Sequence, residues 1–194
     1  MYKGNIIILG APGSGKGTLG KQLAKKYGYT VISTGDILRD EKKSGSDIGK
    51  KINDILGKGN LVPDDLVNEI IERTLLSTRG HYILDGYPRT IAQGEFLSKI
   101  SDIDLVIYLE ASNKTIESRI LERGKSSGRE DDQSVDIIHR RINQFEEETS
   151  PLIDYFKYSK RFNPTNKKIL TYLDGEQSIE EVLDQAENIL RIWS

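Results

Sequence analysis

The chain has 194 residues, 28 Lys plus Arg against 30 Asp plus Glu, a net charge of −2 and no cysteine. That length suits one α/β domain with small insertions, and the balanced charge argues against a broad nucleic-acid or membrane surface. Without Cys there is no disulfide framework and no thiolate metal site; the Met-Tyr-Lys-Gly-Asn start lacks signal-peptide organisation and no apolar run approaches a membrane span, so a cytoplasmic monomer with small-molecule partners is expected.

Taken in order, Ile6, Ile7, Ile8 and Leu9 form an apolar run that enters Gly10-Ala11-Pro12-Gly13-Ser14-Gly15-Lys16-Gly17-Thr18, and the pattern from Gly17 to Tyr27 then reads as a helix. Strand, Gly-rich loop and helix is the order a phosphate cradle needs. The glycines let successive backbone N–H groups face one anion, the helix N-terminus adds partial positive charge, and Lys16 reaches the outer phosphates of a nucleotide. Gly10, Gly15 and Lys16 satisfy the G-x-x-x-x-G-K spacing, although Gly17 stands where Ser or Thr commonly follows the lysine, with Thr18 one place later.

Tyr29 to Ser33 is a second strand that breaks into Ser33-Thr34-Gly35-Asp36 before a helix carrying Ile37, Leu38 and Arg39. Gly45, Gly49, Gly57 and Gly59 then punctuate a Lys-rich stretch, expected to be a small mobile insertion, which ends at Leu61-Val62-Pro63, extended before the proline. Asp64 and Asp65 open the next helix, where they complement its dipole, and Leu66, Val67, Ile70, Ile71 and Leu75 give it a core face. Tyr82 to Leu84 is a third strand running into Asp85-Gly86-Tyr87-Pro88-Arg89-Thr90; a carboxylate at the end of a buried strand suits a site beside bound nucleotide. Asp104 to Glu110 is a fourth strand, with Ser112 capping the helix that follows. The polar run Lys125 to Asp132 is a candidate lid, before a helix carrying Val135, Ile138, Ile142 and Phe145. Ile169 to Leu173 is the last strand, and the capping box Ser178-x-x-Glu181 opens the final helix. Short strands alternating with helices predict an α/β fold: a mostly parallel five-stranded sheet with helices on both faces and ligands at the C-terminal strand ends.

Arg39, Arg89, Arg123, Arg129 and Arg141 fall near strand ends or the lid, and a guanidinium fork suits phosphate oxygens. Together they suggest more phosphate than one nucleotide carries, hence a second phosphorylated substrate. Neither His81 nor His139 falls at a motif, so no general base is evident. An acceptor that is itself a phosphate needs none, because it is already anionic; catalysis then reduces to alignment and charge neutralisation behind a lid that excludes water.

The motifs at Gly10 to Thr18, Ser33 to Arg39 (S-T-G-D-I-L-R), Leu61 to Val67 (L-V-P-D-D-L-V), Asp85 to Thr90 (D-G-Y-P-R-T) and Ser127 to Asp132 (S-G-R-E-D-D) together resemble the adenylate kinase family. The resemblance implies a P-loop NTPase fold and reversible conversion of ATP and AMP into two ADP with magnesium. By position it implies ATP at Gly10, Gly13, Ser14, Gly15, Lys16, Gly17, Thr18, Arg119, Arg123 and the backbone of Gln177. It implies AMP at Thr34, Arg39, Leu61, Val62, Gly86, Tyr87, Arg89, Gln93, Arg129 and Arg141, with Lys16, Arg89, Arg123, Arg129 and Arg141 catalytic. Asp85 would hold Mg²⁺ through water. The single domain would comprise a core (1–32, 63–123, 135–194), an AMP-binding insertion at about 33–62 and a short lid at about 124–134 that, without Cys, carries no structural zinc.

Tyr87 stands where this family more often has Phe, adding a hydroxyl that needs a partner. The stretch from Arg129 to Arg141 is one residue longer than usual, which sets Arg140 against Arg141 as the phosphate-facing arginine. Helical phase favours Arg141, at the border of the apolar stripe, over Arg140 on the opposite side. The alternatives are another nucleoside monophosphate kinase acting on UMP or CMP, or a non-enzymatic nucleotide-binding switch. A GTPase switch is disfavoured because Asn113-Lys114 and Asn166-Lys167 do not continue as N-K-x-D.

Overall fold

The computed structural model describes residues 2–45, 49–50, 52–53, 55, 61–127, 132, 134–158 and 169–193. Among them the order is β1 (Ile6–Leu9), α1 (Lys16–Tyr27), β2 (Thr30–Ser33), α2 (Thr34–Lys43), α3 (Asp64–Ser77), β3 (Tyr82–Asp85), α4 (Ile91–Ile100), β4 (Leu105–Glu110), α5 (Asn113–Ser127), α6 (Val135–Gln144), a π-helical turn (Phe145–Thr149), α7 (Pro151–Tyr158), β5 (Leu170–Asp174) and α8 (Ile179–Ile192).

The strands form one five-stranded sheet in the order β2-β3-β1-β4-β5, parallel throughout. β1 is central and covered on both faces, which is why it reads as an unbroken apolar run rather than an alternating one. Its period of two divides the core. Ile7 and Leu9 join Leu84, Val106 and Leu170 beneath α2, α3, α4 and α7, whereas Ile6 and Ile8 join Ile83, Leu105, Ile107 and Leu173 beneath α1 and α8. Leu38, Ile52 and Val62, all within the expected insertion, belong to the first of these clusters, so these three residues pack onto the main core. A third cluster, Ala11, Ile116, Ile120, Ile138 and Ile142, clamps α5 to α6 beside the Gly-rich loop.

Local signals place most boundaries. Lys25 and Lys26 end α1 before Gly28, whose φ of 78° makes the left-handed cap, and Ser178 with Glu181 forms the reciprocal capping box of α8. The last strand starts one residue later than expected because its register is set by pairing of Val106 to Glu110 with Leu170 to Asp174. Two features differ more. Helix α5 continues to Ser127, so the first residues of the expected lid are helical; Gly124 lies within the helix, and a Cβ there would meet the Asp132 carbonyl oxygen at 2.5 Å, so the close return of Asp132 requires glycine. The helix from Val135 also passes into the π turn, closed by Ser150 N–H donating to the Phe145 carbonyl at 2.7 Å, which hydrophobic phase alone does not signal.

Candidate active site

The C-terminal ends of β1, β2 and β3 open into one cleft of about 1230 Å³. Ligand pockets usually measure about 300–1,000 Å³, so this one has room for more than one mononucleotide. Its floor is the loop after β1. There Gly13 has φ 83°, and a Cβ would strike Ile120 Cγ1 at 2.7 Å, so both backbone angle and the neighbouring helix require glycine. A Cβ at Gly17 would come within 3.2 Å of Asp85 Oδ2, so the departure from Ser or Thr at this place accompanies close approach of the carboxylate to the start of α1.

Lys16 folds under the loop and donates to the Ala11 carbonyl at 2.8 Å. Desolvation lowers its pKa to about 8; the charges of Arg89, Arg123 and Arg141 push the same way and Asp85 opposes them. All four groups line the same cleft as Lys16. The hydroxyls of Ser14 and Thr34, at 1% and 2% exposure, lie in the cleft wall with no protein hydrogen bond among the described residues, which suits donation to a ligand oxygen.

On the loop side, Arg119 donates to the Gly175 carbonyl at 2.7 Å and Gln177 to Asp174 Oδ2 at 2.8 Å, and both line the cleft. Arg123 and Arg141 converge on Asp132. Arg123 donates through Nε and Nη2 at 2.6 and 2.8 Å, and Arg141 through Nη1 at 2.7 Å. Asp132 is fully buried; burial alone would raise its pKa, but the two guanidinium groups hold the carboxyl below its ordinary value. Arg140 is exposed on the outer face of α6, near His139 and Glu147, away from the cleft.

On the opposite side, Arg39 pairs with Asp36 at 2.5 Å, and Leu61 and Val62 complete the wall. Arg89 Nε donates to the Gly86 carbonyl at 2.8 Å. Gln93, only 2% exposed, accepts from Arg89 N–H at 2.8 Å and donates to Asp64 Oδ1 at 2.7 Å. Tyr87 corrects an expectation: it is fully buried and does not line the cleft, and its hydroxyl donates to Asn68 Oδ1 at 2.6 Å, so the ring is a core residue. Arg129, with residues 128, 130, 131 and 133 of the expected lid, lies outside the described residues.

Several residues that line the cleft or hold its lining in place were not singled out from sequence. Asp132 sits in a quoted motif, yet nothing local marks it as the anchor of two arginines. Asp64 reads as a helix-dipole residue, and its contact with Gln93 spans 29 positions. Phe145 and Thr149 enter the cleft through the π turn, which has no sequence cue of its own.

A Gly-rich loop between β1 and α1 of a parallel sheet, with arginines drawn from several elements around its lysine, defines a P-loop phosphotransferase of the nucleoside monophosphate kinase class. A family model described as adenylate kinase matches residues 8–161. The chain is 40% identical over 184 residues to adenylate kinase isoenzyme 1 of Gallus gallus, covering 93% of this chain and 90% of that protein. It is 41% identical over 169 residues to an adenylate kinase of Bacteroides thetaiotaomicron (84% and 89% covered), and 39% identical over 184 to adenylate kinase isoenzyme 1 of Homo sapiens (93% and 90% covered). The chain belongs to the adenylate kinase family.

Proposed function

We propose that the cleft holds ATP and AMP together and transfers the γ-phosphoryl group of ATP to the AMP phosphate, giving two ADP, and in reverse. The observation that carries this reading is that Lys16 and Arg89, Arg123 and Arg141, which come from separate elements, line one cleft. In the forward direction an AMP phosphate oxygen attacks the γ-phosphorus while the bond to the β,γ-bridging oxygen breaks. No proton need be removed from the acceptor, consistent with a site built of cations rather than a histidine base.

The backbone of Gly10 to Gly15, Lys16, Gly17 and Thr18 takes the ATP phosphates, with Ser14 donating its hydroxyl; Arg119 and the backbone near Gln177 border the adenine. Thr34, Arg39, Leu61, Val62, Gly86, Arg89 and Gln93 receive AMP. Arg123 and Arg141, with Arg129, neutralise charge on the transferring group. Residues 33–62 serve as the AMP-binding part and residues 124–134 as a lid that keeps water from competing with the acceptor.

Asp85 suits magnesium. It offers a hard oxygen beside Gly17, and no three His, Cys, Asp or Glu side chains group together among the described residues, so the ion would take most ligands from phosphate and water, as Mg²⁺ commonly does. Asp85 would hold the ion, which would supply positive charge against the ATP phosphates. No helix among the described residues is long and apolar enough to cross a membrane; a chain without cysteine fits a reducing compartment such as the cytoplasm.

A coupled assay that offers Mg-ATP with AMP, UMP, CMP or GMP in turn tests this reading. AMP should be strongly preferred, and equal use of a pyrimidine monophosphate would overturn it.

A further inference from the structure

We propose that Asp64 is a specificity-determining positioning residue, which locks the Gln93 amide in the orientation that accepts a 6-aminopurine and opposes a 6-oxopurine. The inference rests on the reading of Gln93 as a base contact.

A glutamine amide has an oxygen end and a nitrogen end that exchange by a half-turn, and the two ends ask for opposite partners. Here both ends are held. Gln93 Nε2 donates to Asp64 Oδ1 at 2.7 Å, while Gln93 Oε1 accepts from the Arg89 backbone N–H at 2.8 Å. An ionised carboxylate only accepts and a backbone N–H only donates, so a half-turn would face oxygen to carboxylate and N–H to N–H. At 2% exposure, water cannot easily relieve that mismatch.

Asp64 is itself fixed. Its Oδ2 accepts from Thr90 Oγ1 at 2.7 Å, and the same hydroxyl caps α4 by accepting from Gln93 N–H at 3.1 Å. Asp64 does not line the cleft, whereas Gln93 does, so Asp64 acts on a ligand only through the amide.

With these bonds made, Gln93 retains one N–H and one oxygen lone pair. Adenine presents an acceptor at N1 and a donor at N6, which that pair matches. Hypoxanthine and guanine present a donor at N1 and an acceptor at O6, the reverse. Because the amide cannot turn, a 6-oxopurine monophosphate forfeits both bonds and leaves buried groups unpaired.

The test is kcat and KM for AMP and for IMP with the parent, Asp64→Asn and Gln93→Leu. Asparagine keeps the size and can still accept from Thr90, but its amide can either donate to or accept from Gln93. The AMP-to-IMP ratio of kcat/KM should fall by about tenfold in Asp64→Asn, through KM, with kcat for AMP within about threefold of the parent. Gln93→Leu should lose discrimination as well. A ratio unchanged in Asp64→Asn but lost in Gln93→Leu overturns the lock and leaves Gln93 as the base contact. A ratio unchanged in both overturns the two readings together. A fall in kcat with the ratio intact assigns Asp64 a structural role and overturns the proposal. If Asp64→Asn does not fold, Asp64→Ser, too short to reach Gln93, is read by the same ratio.

Discussion

Lys16 meets two opposed demands. The loop draws its ammonium out of water and beside three arginines, which lowers its pKa to about 8 from an ordinary 10.5. A cation disfavoured in the folded state destabilises it fully below pH 8, and the penalty fades as pH rises from there toward 10.5. Lys16→Met is therefore expected to melt no lower than the parent at pH 7 in the absence of nucleotide, with any advantage disappearing toward pH 10.5. Added ATP should reverse the order by stabilising the parent more. The same substitution should cut kcat by about 10²-fold or more, as loss of a preorganised charge does. Melting curves across pH and steady-state rates check both halves; a marked loss of nucleotide-free stability at pH 7 would contradict the first.

A second residue-level contrast separates adjacent arginines. Arg141 has 18% side-chain exposure and reaches Asp132 and the cleft, whereas Arg140 sits on the outer face. Arg141→Ala should lower kcat by about 10²-fold. Arg140→Ala, an exposed-site change, should stay within about twofold of the parent. Kinetics of the two single variants decide it, and a larger loss in Arg140→Ala would contradict the assignment.

Among elements, α5 and α6 act as a pair. Ile116, Ile120, Ile138 and Ile142 join them through an apolar seam, and Asp132 ties Arg123 of one to Arg141 of the other. A buried carboxylate is tolerated here because three charged N–H groups meet it. Asp132→Asn should destabilise the protein by about 1–3 kcal/mol at pH 7. The folded carboxyl titrates below its ordinary value, so its contribution is fully present above the usual carboxylate range and is lost as pH falls through the lower folded value. Urea unfolding should therefore show a gap between parent and variant that is constant above about pH 5 and closes under acid. A gap independent of pH would contradict the pairing.

For the whole molecule, a net charge of −2 hides a cationic cleft: Lys16, Lys21, Lys42 and Lys43 line it with Arg39, Arg89, Arg119, Arg123 and Arg141, against Asp36 and Asp85. Such focusing suits polyanionic substrates without making the surface basic overall. Magnesium beside Asp85 would add to this positive charge on the ATP side. EDTA should stop phosphoryl transfer while leaving the Tm of nucleotide-free protein unchanged, because the sheet and its helices cohere through apolar clusters. A large chelator-induced fall in Tm would contradict this.

Much of this was readable from order and periodicity. Ile6 to Leu9 before a Gly-rich loop determines a buried strand ending in a phosphate cradle, since both signals come from neighbouring residues. The parallel sheet likewise follows from alternating strands and helices, and motifs after the strand ends mark Lys16, Thr34, Arg39, Gly86 and Arg89, which line the cleft. Pairings between distant positions were not readable, because hydrogen-bond geometry depends on where the backbone returns. Asp64 looks like a dipole residue until α3 brings it to Gln93 and Thr90, and Tyr87 looks like a cleft residue until its hydroxyl finds Asn68 inside the core. Asp132 is one carboxylate in an acidic run until α5 and α6 close their arginines around it. Local sequence determined which elements form and which chemistry they carry; tertiary packing alone decided which way each polar group is held, because that choice rests on partners supplied from elsewhere in the chain.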